Sequence, residues 1–120
     1  DTHVYLWWCA NSDLLPPRIR TTIEDADRVV VSSASAWEAH IKVALGKLKL
    51  PAIFESGIES SGFEPLMINF KHAQRAAELP PLHRDPFDRM LIAQAIEEGL
   101  MLMTHDEQIA RYEGVKLLVF

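Results

Sequence analysis

Short apolar runs alternate with stretches of helical spacing along the whole of this 120-residue chain, and that alternation restricts the fold more than any other feature. Val29 to Val31, Leu66 to Ile68, Leu100 to Met103 and Val115 to Phe120 are too short and too evenly apolar for amphipathic helices, so they are read as strands. Val4 to Ala10 is an apolar helical segment that the Asn11-Ser12-Asp13 loop ends, and Pro16-Pro17 opens a second helix running to about Asp25. Helical spacing returns over Ser35 to Leu45, with Trp37, Ile41, Ala44 and Leu45 on one side, and again over Pro51 to Ser60, Asn69 to Leu79, Asp85 to Gly99 and Asp106 to Tyr112. Parallel strands need crossover connections, which are usually helical, so strands alternating with helices predict an α/β domain with a mostly parallel sheet.

Composition narrows the function. Seventeen acidic against twelve basic residues leave a net charge of −5, which argues against a protein held on nucleic acid by bulk positive charge. No apolar run approaches the roughly 18 residues of a bilayer span, so no membrane role is expected. Cys9 is the only cysteine, which removes both an internal disulfide and a cysteine zinc site and makes the reducing cytoplasm the expected location. The length suits one domain, residues 1–120.

Ligands of parallel α/β sheets gather beyond the carboxyl ends of the strands, where helices begin. Acids recur there: Glu38 in Ser35-Ala36-Trp37-Glu38, Asp85 and Asp88 in His83-Arg84-Asp85-Pro86-Phe87-Asp88, and Asp106 in Thr104-His105-Asp106-Glu107. Each has an ordinary reading as a helix cap: Ser35 with Glu38, Thr104 with Glu107, and Asp85 before Pro86. Capping does not explain direction, however. Glu38 shares a stripe with Ile41 and Leu45, and Asp88 shares one with Leu91, Ile92 and Ala95, so both carboxylates are expected on the core side without a basic partner on the same stripe. An unpaired buried carboxylate costs several kcal/mol. A cation bound among carboxylates from separate segments removes that cost, and an oxygen donor set without cysteine suits Mg²⁺ or Mn²⁺. Asp1, Glu38, Asp88 and Asp106 form the candidate set, with Asp85 a fifth acid about one helical turn from Asp88.

These residues resemble the PIN-domain ribonucleases, and among them the VapC toxins of bacterial toxin–antitoxin pairs. The resemblance rests on Asp1-Thr2-His3 before an apolar segment, Ser35-Ala36-Trp37-Glu38 after a valine strand, His83-Arg84-Asp85-Pro86-Phe87-Asp88-Arg89 leading into Leu91-Ile92-Ala93, and Thr104-His105-Asp106. It spans the chain and implies a three-layer α/β/α sandwich. Asp1, Glu38, Asp88 and Asp106 would be the acidic catalytic quartet around one or two Mg²⁺ or Mn²⁺ ions, with Asp85 an accessory metal ligand and Thr104 a hydroxyl at the site. PIN domains deliver their first aspartate from a strand, and none precedes Asp1, so a PIN domain short of its first strand is expected.

The implied activity is metal-dependent cleavage of RNA by the toxin of a VapBC-type pair, with a VapB-like antitoxin as partner and a homodimer as assembly. The antitoxin groove is expected at Ile53, Phe54 and Ile58, where a segment is more apolar than a free surface helix needs. Arg84 and Arg89 flank the acids and are candidates equally for phosphate contact and for neutralising the carboxylates of a metal-free site, and His83 and His105 are the histidines expected nearest the substrate. The alternative is a non-catalytic PIN-like module that works only through protein contacts. Divalent-ion binding separates the two.

Overall fold

A computed structural model describes residues 1–120. The chain divides into two compact units: Thr2–Met67, and Ile68–Phe120 together with Asp1.

The first unit contains α1 (Thr2–Cys9), α2 (Pro17–Asp25), β1 (Val30–Ser32), α3 (Ser33–Ala44), α4 (Ser56–Ser61) and β2 (Glu64–Leu66). The strands pair in parallel, Val30 opposite Glu64 and Ser32 opposite Leu66. Tyr5, Val31, Ala39, Phe54 and Ile58 form its buried core, with Leu48, Leu50 and Phe63 packed against it. The Tyr5 and Phe54 rings lie 4.6 Å apart between centroids, and the Tyr5 hydroxyl donates to the Phe54 carbonyl at 2.5 Å. Burial, with Cys9 beside it, pushes the Tyr5 hydroxyl above its ordinary pKa and keeps it a donor. Glycine at residue 57 makes room for this pair: a Cβ there would stand 2.6 Å from both Tyr5 Oη and Cys9 Sγ and force one of them to move.

Three expectations change in this unit. The cap of α3 is Ser32, whose hydroxyl accepts from the Ala34 N–H at 3.0 Å, rather than the Ser35–Glu38 pair; Ser35 is buried inside the helix and accepts from Thr2 Oγ1 at 2.8 Å. The inward face of α3 carries Ala34, Ser35, Glu38 and Ala39, while Trp37, Ile41 and Leu45 lie outside. Small side chains on that face allow α3 to approach α1 closely, so the bulkier adjoining stripe turns to solvent. The helix expected from Pro51 begins only at Ser56, because Ser56 turns back and bonds the Ile53 carbonyl through both its N–H, at 3.0 Å, and its hydroxyl, at 2.6 Å. Phe54 and Ile58 then point into the core and only Ile53 is exposed, which removes the expected antitoxin groove.

The second unit contains α5 (Phe70–Glu78), α6 (Pro86–Glu98), β3 (Met101–Thr104), a 3₁₀ turn at Ile109–Arg111 and β4 (Lys116–Val119). β3 and β4 are parallel, with Met101 opposite Lys116 and Thr104 opposite Val119. α5 starts on a reciprocal cap in which Asn69 Oδ1 accepts from the His72 N–H at 2.9 Å and His72 Nδ1 accepts from the Asn69 N–H at 3.1 Å. His72 thus has a structural place at the start of α5. α6 is buried on every side from Leu91 to Ala95, and it ends where Gly99 takes a left-handed φ of +66°. Ile92, Ile109 and Tyr112 form the core of this unit, with Leu82, Leu102 and Leu117 packed around them.

The helix expected over Asp106 to Tyr112 shrinks to the 3₁₀ turn. Asp106 Oδ1 accepts from the Gln108 N–H at 2.7 Å just before it. No helix of the chain is long and apolar enough to cross a membrane.

Candidate metal centre

The Asp85-Pro86 start of α6 fixes the position of the first acid. Asp85 Oδ1 accepts from the N–H groups of Phe87, at 2.8 Å, and Asp88, at 3.3 Å, and Pro86 needs no partner for a missing N–H. Asp88 thereby stands in the first helical turn, where the positive end of the helix dipole favours its charge. Its Oδ2 lies 2.9 Å from His83 Nε2, and the same nitrogen lies 3.3 Å from Asp106 Oδ2. One donor atom each from His83, Asp88 and Asp106 thus falls within a 4.8 Å group, on side chains that are half-buried and open to solvent on one side.

Thr104, at the end of β3, ties Asp1 to Asp106. Its hydroxyl donates to Asp1 Oδ2 at 2.6 Å and accepts from the Asp106 N–H at 3.0 Å, while the Asp1 amino group bonds the Met103 carbonyl. Thr104 is fully buried and its single proton is committed to Asp1. The hydroxyl expected at the site thus links two of its acids.

The segment before α6 is pinned from behind. The His83 N–H donates to Tyr112 Oη at 3.0 Å, Tyr112 Oη donates to the Pro80 carbonyl at 2.9 Å, and Arg111 Nη1 donates to the Leu82 carbonyl at 3.1 Å. Arg89 completes the clamp: Nη1 donates to Pro80 O at 2.9 Å and Tyr112 Oη at 3.1 Å, and Nη2 donates to Ala76 O at 2.8 Å and Leu79 O at 2.9 Å. Its guanidinium thus holds backbone carbonyls. Arg89→Lys is expected to lower unfolding free energy by about 2–3 kcal/mol in urea titrations, because an ammonium does not reproduce the planar fork and leaves carbonyls unpaired. A shift under 0.5 kcal/mol, on the order of an ordinary surface change, would contradict this clamp.

Asp85, expected as an accessory metal ligand, caps the helix through Oδ1 and is not one of the three grouped donors. Glu38, in the first unit, is buried as expected, but it is not without a basic partner: Lys42, one turn on, places Nζ 2.9 Å from Oε2. Glu38 Oε1 is buried with no hydrogen-bond partner. Arg84 is exposed, and His105 stacks near Phe120, with 5.0 Å between ring centroids. His83 is the member of the group that the acid-only reading of the metal set leaves out; its proximity was signalled by its place five residues before Asp88 across a proline turn.

The chain is thus an α/β protein with parallel strands and, beyond a strand end and at a helix start, an acid-rich group that could hold a metal ion. A model of the PIN domain family matches residues 1–115, and this chain belongs to that family. Ribonuclease VapC22 of Mycobacterium tuberculosis (strain ATCC 25618 / H37Rv) is 32% identical over 117 residues, covering 91% of this chain and 86% of that protein. The crystal structure of VapBC2 from Rickettsia felis bound to a DNA fragment from their promoter superposes with a TM-score of 0.73 at 16% identity, over 99% of this chain and 95% of the matched one. The α/β fold class of PIN type and the VapC kinship read from the sequence both stand.

Proposed function

We propose that this chain is a divalent-metal-dependent endoribonuclease that acts as the toxin of a VapBC-type toxin–antitoxin pair. The observation that carries the reading is the convergence of Asp88 and Asp106 on one point, with Asp1 tied to Asp106 through Thr104. Kinship with a VapC ribonuclease supports RNA as the substrate, and likeness in fold to the VapBC2 complex supports a VapB-like antitoxin as the partner.

The residues present fit a divalent cation. Asp1, Asp88 and Asp106 offer carboxylate oxygens; Glu38, in the first unit, is the fourth acid by the family resemblance, and its buried Oε1 has no hydrogen-bond partner. A bound Mg²⁺ or Mn²⁺ supplies charge neutralisation at a phosphodiester and lowers the pKa of an attacking water. The chain's own part is positional: the α6 cap aims Asp88, Thr104 aligns Asp1 with Asp106, and exposed Arg84 engages a phosphate. With no side-chain nucleophile required, the attacking group is water, so the products carry linear phosphate ends. The net charge of −5 does not oppose this role, because a bound cation inverts the local potential where phosphate sits.

Chelation tests the proposal. RNA cleavage is expected to fall to background with excess EDTA and to return when Mg²⁺ or Mn²⁺ is restored. Turnover that survives thorough chelation contradicts the metal dependence, and divalent-ion binding without any RNA cleavage favours the non-catalytic module.

A further inference from the structure

Resting on the metal-site reading above, we infer that His83 is a nitrogen ligand of that site, so that this chain builds a mixed N/O donor set that takes Mn²⁺ in preference to Mg²⁺. An all-carboxylate site has no use for an imidazole at its centre, yet here one imidazole nitrogen faces oxygens of two acids from separate elements.

The distances agree with a shared coordination shell. Donors about 2.1 Å from one octahedral ion are about 3.0 Å apart along a cis edge. His83 Nε2 stands 2.9 Å from Asp88 Oδ2 and 3.3 Å from Asp106 Oδ2. A plain hydrogen bond explains the first distance and needs only one acceptor; a nitrogen within 3.3 Å of both oxygens also fits a ligand beside two carboxylate donors on one ion.

Preorganisation points the same way. The His83 backbone N–H is held by Tyr112, the Leu82 carbonyl by Arg111, and the Pro80 carbonyl by Tyr112 and Arg89. A surface loop histidine needs no such support, whereas a ligand must be held to a fraction of an ångström. The donor type then sets metal choice. Imidazole nitrogen binds transition ions better than Mg²⁺, which strongly prefers oxygen and water.

Pulsed EPR on the full chain loaded with Mn²⁺ alone tests this, since a directly bound imidazole couples its ¹⁴N nucleus to the metal electron spin. The wild-type protein is expected to show that coupling, and His83→Gln to lose it. By titration, His83→Gln is expected to weaken Mn²⁺ binding by about tenfold or more and Mg²⁺ binding by clearly less. If Mn²⁺ binds wild type and is lost in Asp88→Asn but no ¹⁴N coupling appears, the nitrogen ligand is overturned while the metal-site reading stands. If Asp88→Asn binds Mn²⁺ as wild type does, both fall.

Discussion

Asp88→Asn is expected to lower RNA cleavage on the order of 10³-fold, equivalent to about 4 kcal/mol of transition-state stabilisation, while the protein stays folded. Asparagine keeps the volume of the side chain and can still bond His83, but it removes one of the charges that hold a cation between α6 and the end of β3. The structural cost is small. Asp85, not residue 88, caps α6, so the substitution forfeits only the first-turn charge–dipole interaction, about 0.3–1 kcal/mol, and part of the His83 contact. Circular dichroism and urea titration should therefore match wild type to within about 1–2 kcal/mol. Cleavage at the wild-type rate by a folded Asp88→Asn protein would remove Asp88 from the site.

Phe54→Asp is expected to be the most damaging single change to the fold. Phe54 is 4% exposed, packs on Tyr5, and its backbone carbonyl takes the Tyr5 hydroxyl. Losing a buried phenyl ring costs about 3–5 kcal/mol before a buried charge is added. Against a typical domain stability of about 5–15 kcal/mol, a large fraction of the protein should unfold. Ile53→Asp, one residue away at 74% exposure, is expected to change stability by about 0.5 kcal/mol or less. Thermal melts of the two variants read this contrast directly. Any loss of partner binding in Phe54→Asp would then report unfolding rather than a docking surface, and equal melting temperatures for the pair would contradict the core assignment.

The neighbouring residues 53 and 54 show how far the sequence carried. Alternating period revealed the elements and their order, since β-branched runs and helical spacing are local properties. Which side of an element faces inward is not local. Trp37, Ile41 and Leu45 make the more hydrophobic stripe of α3, yet the face of Ala34, Ser35 and Ala39 is buried, because small side chains permit close approach to α1. Phe54 reaches the core because the turn at Ser56 aims it there.

The candidate site was legible to the same depth. The Asp85-Pro86-Phe87-Asp88 stretch announces a capped helix start with a second acid in its first turn, and the structure forms both. The role of Arg89 was hidden, since its carbonyl partners come from Ala76, Leu79 and Pro80, brought near only when α5 and α6 pack. Thr104 looked like a cap for Glu107, but its β3 position turns the hydroxyl to Asp1, a partner more than a hundred residues away in sequence. Lys42 was present in the sequence one helical turn beyond Glu38, and the pairing was available to a count of i, i+4 neighbours.

The most direct test of the central claim is end-mapping of total RNA incubated with wild-type protein and Mn²⁺, beside Asp88→Asn and an EDTA control. The account predicts discrete new ends bearing linear phosphate, present with wild type and absent from both controls. Cyclic 2′,3′-phosphate ends, which arise when the RNA's own 2′-hydroxyl attacks, or the same cuts with Asp88→Asn, would contradict it.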